Sequence, residues 1–256
     1  MDAFVVPILA GFLIGFLIGL TGMGGGALMT PFLILWLELD TILAVGTDLM
    51  FAAITKIFGG VQHWRADHVA LRSVLWLAAG SVPATFVAGR FVLYQTRESA
   101  FLVALLPTLL GAVLVLVALL MLARLIGILP VRQETEVRQP APVALIAIGA
   151  LGGLLVGLTS VGGGTVILAL LLLVYTLPLP QLVGIDVVHG ALLTSAAALT
   201  YAGGGQTLWS TVALLLIGSL PGVALGAGAV DRVNVRVVRT GVALLILLAG
   251  IELLRG

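Results

Sequence analysis

The sequence has no cysteine, which excludes disulfides and thiolate metal sites. Charge is nearly as scarce: 9% of residues are Asp, Glu, Lys or Arg, against about 25% in a soluble domain. The net charge is +1, with no basic run or tail, so nucleic acid is not an expected partner. The three histidines have no HExxH spacing. No GK[ST] follows any glycine cluster, so there is no phosphate loop, and no cofactor or metal is expected. The apolar start, MDAFVVPILAGFLIGFLIGL, lacks the positive n-region and small-residue cleavage site of a signal peptide, and reads as part of the mature fold.

What fills the 256 residues is hydrocarbon: 61% are hydrophobic. No water-soluble surface can be built from that composition, so the chain belongs in a bilayer. Ten apolar segments stand out: Phe4–Leu20, Ala27–Leu37, Thr41–Gln62, Val69–Ala88, Ala100–Ala123, Val143–Leu158, Thr165–Leu177, Gln181–Tyr201, Leu208–Ala227 and Val235–Leu254. A spanning helix needs about 20 residues. The last three segments of each half meet that length; the first two fall short and are joined by glycines.

The halves repeat. Gly15–Gly26, GFLIGLTGMGGG, and Gly153–Gly164, GLLVGLTSVGGG, share eight of twelve positions at an offset of 138 residues. The same offset pairs Gly46 with Gly184, Asp48 with Asp186, and Gly80-Ser81-Val82-Pro83 with Gly218-Ser219-Leu220-Pro221. The expected fold is an all-α polytopic membrane protein of two repeats, residues 1–123 and 143–256, joined by a polar linker at 124–142. That linker holds five charges and three prolines, so it lies in water.

Loop arginines give the orientation. If each glycine-rich pair crosses twice or dips in and returns, each repeat crosses an odd number of times and the second is inverted. Arg65, Arg72, Arg124, Arg132, Arg138, Arg232, Arg236 and Arg239 then share one side, and Arg90, Arg97 and Arg255 the other. Eight against three predicts a cytoplasmic linker with both termini outside. A single crossing per pair would give six against five, which is no bias. Trp36, Trp64 and Trp209 fall near segment ends, where they suit the headgroup layer or simply pack.

Each glycine in a helix interior costs about 0.5–1 kcal/mol against alanine. Gly24-Gly25-Gly26 and Gly162-Gly163-Gly164 therefore mark breaks, after which new helices start at Ala27 and Thr165. Free N–H groups and the positive dipole end at such starts favour an anion. In inverted-repeat transporters such half-helix starts hold the substrate near the midplane. Thr21, Thr159 and Ser160 add hydroxyls there. The alternative is that the glycines only allow close packing, the reading preferred for the four-residue stripe Gly11, Gly15 and Gly19.

Ionisable residues inside spans are functional candidates. Asp48 and Asp186 hold matching places; Lys56 lies two turns beyond Asp48, and His189 three residues beyond Asp186. An acid in low dielectric can exchange protons, and a lysine can neutralise an anion. Capping, ion pairing or ordinary packing are the structural alternatives for these four. The second repeat has Thr194 in place of Lys56, and the first has Phe51 in place of His189, so any division of labour lies there. Pro83 and Pro221 either kink their helices or serve as gates. The patch His63–His68 reads as an interfacial loop.

The repeated GLTGxGGG and GLTxxGGG clusters, the following Gly-x-Asp and the Gly-Ser-x-Pro runs resemble the TauE/SafE sulfite exporter family across essentially the whole chain. The resemblance implies a polytopic permease moving sulfite or organosulfonate anions out of the cell. Carried over by position, its functional regions are Thr21, Gly22, Gly24, Gly25 and Gly26, and Thr159, Ser160, Gly162, Gly163 and Gly164. The resulting expectation is a secondary transporter exporting a small sulfur-containing anion across the plasma membrane. Lys56 would bind the anion, and Asp48, Asp186 or His189 would couple protons. The expected partners are the anion and the bilayer, with a homodimer left open. A cation/proton antiporter using Asp48 and Asp186 is the main rival. An intramembrane hydrolase using Ser160 or Ser195 with His189, and a non-transporting scaffold, are the others.

Overall fold

A computed structural model describes residues 2–21, 26–65, 69–98, 100–127, 140–174, 177, 179–229 and 233–255. Among them lie ten α-helices: α1 Asp2–Thr21, α2 Gly26–Leu35, α3 Thr41–Arg65, α4 Leu71–Glu98, α5 Ala100–Leu125, α6 Pro142–Thr159, α7 Thr165–Val174, α8 Leu179–Gly203, α9 Trp209–Ala229 and α10 Val235–Arg255. Eight are long and apolar enough to cross a membrane. Most of the linker, residues 128–139, lies outside the described residues, as do Gly22, Gly24, Gly25 and Ala66–His68.

Segment lengths need one correction. α1 and α6, expected to be too short, reach 20 and 18 residues and qualify as spans. Each helix takes in the threonine at its end. Thr21 and Thr159 turn their hydroxyls back onto the carbonyls of Leu17 and Leu155, at 2.6 and 2.7 Å, so the helix absorbs them. Only α2 and α7, at 10 residues each, are half-length; that is about 15 Å of helix, half the hydrocarbon thickness.

Packing follows the 138-residue offset. Gly11, Gly15 and Gly19 of α1 lie on the backbone of Leu215, Ser219 and Val223 in α9. Gly149, Gly153 and Gly157 of α6 lie in the same way on Leu77, Ser81 and Thr85 of α4. The first helix of each repeat is thus docked, parallel, on the fourth helix of the other. A Cβ on Gly15 would fall 2.6 Å from the Ser219 carbonyl oxygen, so the glycine stripe is a backbone-to-backbone seam. α4 and α9 continue through Pro83 and Pro221.

Between these pairs α3 and α8 face each other. Gly46 neighbours Tyr201, Lys56 neighbours Gly190, and Gly59 neighbours Val187. As numbering rises on α3 it falls on α8, so these two equivalent helices run antiparallel. Leu49, Ile185, Leu193, Ala197 and Tyr201 are buried in the core they share. Trp36, Trp64 and Trp209 are exposed at or beside helix ends.

Candidate functional site

The two short helices begin at the same place. Gly26 and Ala27 at the start of α2, and Gly162, Gly163, Gly164 and Thr165 at the start of α7, line one small pocket. Ala52 and Lys56 of α3, Ser160 and Thr194 complete its walls. In this conformation its core has room for about one water-sized sphere. The first N–H groups of a helix have no partner within it, so two positive helix ends bear on this space.

The local backbone explains the break. Ser160 follows the last turn of α6 with φ 63°, its N–H donating to the Val156 carbonyl at 2.8 Å. Gly162 has φ 105°, a conformation that favours glycine. Its carbonyl then accepts from Val166 at 3.1 Å, which starts α7. Ser160 holds a left-handed conformation that glycine adopts more easily, and what distinguishes it is the hydroxyl.

Lys56 is partly buried on α3, and its ammonium rests against two glycines of the second repeat. A Cβ would fall 2.8 Å from Nζ if added at Gly190 and 3.5 Å if added at Gly163. The field of Lys56 reaches Asp48, Asp186 and His189. Asp48 and Asp186 are both buried. Thr30 of α2 donates to Asp48 Oδ2 at 2.5 Å, Ser160 donates to the same oxygen, and the Thr30 and Ser160 hydroxyls lie 2.7 Å apart. Asp48 Oδ1 and Asp186 Oδ1 have no hydrogen-bond partner.

Of the residues expected at the site, Gly26, Ser160, Gly162, Gly163, Gly164 and Lys56 share the pocket. Asp48 stands behind its Ser160–Gly26 wall: a Cβ on Gly26 would lie 3.3 Å from Asp48 Oδ2. Thr21 and Thr159 are placed differently, because their hydroxyls are spent on their own helices. Thr21 lines a neighbouring, mostly apolar pocket with Leu17, Met121 and Val242, and its carbonyl accepts from Arg239 at 3.0 Å. His189 is fully buried away from the pocket, its Nε2 2.8 Å from Ser81 Oγ. Gly22, Gly24 and Gly25 lie outside the described residues.

Sequence reasoning passed over Thr30 and Ser81. Thr30 had a signal: it is the one internal hydroxyl in an apolar helix, and its counterpart at the repeat offset is Leu168. Ser81 lay in plain sight in the Gly-Ser-x-Pro motif, where the proline drew the attention. Its counterpart Ser219 is buried with no hydrogen-bond partner, and Phe51 holds the place equivalent to His189. The Ser160–His189 pair of the hydrolase reading does not form, since Ser160 bonds to Asp48 and Thr30. The Ser81–His189 contact lacks an orienting carboxylate, His189 Nδ1 being unpartnered. Among the described residues no group of three or more side chains is arranged to hold a metal.

The family described as sulfite exporter TauE/SafE matches residues 7–253. The chain is 36% identical over 255 residues to a probable membrane transporter protein, YjnA, of Bacillus subtilis, covering 96% of this chain and 98% of that one. A second Bacillus subtilis protein, the probable membrane transporter YdhB, is 24% identical over 247 residues, covering 96% and 98%. A probable membrane transporter of Haemophilus influenzae is 26% identical over 271 residues, covering 96% of each chain. No solved structure matches the chain. Because the family match runs through both glycine breaks and every helix that lines the pocket, this chain belongs to the TauE/SafE sulfite exporter family of membrane transporters.

Proposed function

We propose that the protein is a secondary transporter that exports sulfite or a small organosulfonate across the plasma membrane, with proton movement linked to the buried acids. The observation that carries the anion reading is the Lys56 ammonium in a pocket lined by the starts of two half-length helices. One ammonium and two positive helix ends around a small cavity suit a compact oxyanion, which accepts hydrogen bonds from N–H groups and ammonium alike. The same lysine opposes the cation-antiporter reading, since a metal cation would have to sit beside it.

In this reading the repeats are inverted, with the linker cytoplasmic and both termini outside. The antiparallel run of α3 and α8 and the arginine bias support that arrangement. The glycine seams make α1–α9 and α4–α6 two rigid pairs. Movement of these pairs about α3 and α8 would widen a pocket that now has room for about one water.

The test is a thermal-shift screen of the purified protein against sulfite, sulfate, sulfoacetate, taurine and simple cations, followed by flux in liposomes. Stabilisation by sulfite or sulfoacetate, with matching flux, is expected. Stabilisation by cations and by none of the anions would overturn the reading.

A further inference from the structure

Three oxygens behind the pocket pose a counting problem. Thr30 Oγ1, Ser160 Oγ and Asp48 Oδ2 are mutually within hydrogen-bonding distance, which makes three contacts. Each contact needs one hydrogen, and the two hydroxyls bring two. If both donate to an ionised Asp48, the Thr30 and Ser160 oxygens face each other at 2.7 Å with nothing between them. If Asp48 carries a proton on Oδ2, the ring closes: Asp48 donates to one hydroxyl, that hydroxyl to the other, and the other back to Asp48. A metal ion does not fit inside it, since ligands at about 2.3–2.6 Å from a shared cation would stand farther apart.

Two further observations agree. Asp48 is fully buried with Oδ1 unpartnered, an arrangement that costs an ionised carboxylate more than a neutral one. With both acids ionised, two negative charges face the one positive charge of Lys56, an unsuitable balance for holding an anion; a proton on one acid brings the balance to zero. Asp186 lacks this ring, because Leu168 of its own repeat stands at the place of Thr30, and Gly22 of the first repeat at the place of Ser160.

We propose that Asp48 carries a proton in this conformation, within a closed ring shared with Thr30 and Ser160, and that it links proton occupancy to anion occupancy of the pocket. Asp186 is left as the counter-charge of Lys56. The linkage deepens the anion-export reading and rests on it: an anion in the pocket, across the Ser160–Gly26 wall from Asp48, favours the protonated acid, and by reciprocity the proton favours the anion. Thr30 and Asp48 belong to the first repeat and Ser160 to the second. Relative movement of the repeats opens the ring and exposes Asp48 to ionisation, which the positive end of α2 then favours.

The groups that face Asp48 are few. On α3 its charged partner is Lys56, and α8 contributes Asp186, His189 and Tyr201. α2, α9 and α6 hold no titratable residue, and α5 holds only Arg124 in its last turn.

Infrared spectroscopy of the full-length protein across a pH titration tests this. A buried carboxylic C=O band is expected at neutral pH in the wild type, absent in Asp48→Asn and retained in Asp186→Asn. Thr30→Ala, which leaves Asp48 in place, is expected to shift the band and its titration, and Thr30→Ser to restore both. A band that survives Asp48→Asn, disappears in Asp186→Asn or ignores Thr30→Ala overturns the ring. Sulfite that stabilises the protein yet leaves the band's titration unmoved overturns the linkage. The band itself needs no anion, so its outcome is separate from whether sulfite is the substrate.

Discussion

Replacing Lys56 with methionine removes the one full positive charge in the pocket while keeping a flexible apolar stem. A hydrogen bond to a charged group contributes about 1.5–3 kcal/mol net, and each 1.4 kcal/mol is about tenfold in affinity. Sulfite binding should therefore weaken about 10–100-fold. At a concentration about 100 times the wild-type Kd, a bound anion stabilises the fold by about 2.7 kcal/mol. A hundredfold loss of affinity would reduce that to about 0.4 kcal/mol at the same concentration. The single variant also removes the positive charge whose field reaches Asp186. A buried carboxylate that loses a compensating charge destabilises the fold. Lys56→Met with Asp186→Asn removes both charges and separates the effects: the double variant should regain stability but not sulfite binding. Thermal unfolding with and without sulfite reads both quantities. A double variant that folds and binds sulfite as the wild type does would refute the assignment of Lys56.

Other consequences follow from particular contacts. Gly190→Ala places a methyl 2.8 Å from the Lys56 ammonium, at the mobile end of a side chain; it should leave the unfolding temperature nearly unchanged and weaken sulfite binding. Gly15→Ala meets the Ser219 backbone at 2.6 Å instead, and should destabilise by about 1–3 kcal/mol, read by unfolding in detergent. Ser81→Ala and Ser219→Ala, equivalent by the repeat, should differ in sign. The first strands His189 and costs about 1–3 kcal/mol, whereas the second removes a buried hydroxyl that has no partner and should be neutral or stabilising. Equal losses in both would contradict the hydrogen-bond assignment.

Much of the scaffold was legible because its causes are local. Apolar runs long enough to span give helices wherever they occur, and triple glycines interrupt them wherever they fall. The start of α7 at Thr165 was read directly, and that of α2 within one residue. The lengths of α1 and α6 were missed at both ends: the helices run Asp2–Thr21 and Pro142–Thr159, each closing on a threonine whose hydroxyl bonds the carbonyl four residues back. The same bonds explain why Thr21 and Thr159, beside the glycines in sequence, do not line the pocket.

The sequence by itself determined that the chain lives in a bilayer, where its helices lie, where they break and that the unit occurs twice. Those properties depend on composition, run length and backbone preference within a few residues. The tertiary structure alone decided that α1 docks on α9 and α6 on α4, and that Lys56 of one repeat rests on glycines of the other. It also decided that Thr30 meets Ser160 across 130 positions of chain to enclose Asp48. Such meetings depend on how two separated apolar surfaces fit, which no local pattern encodes.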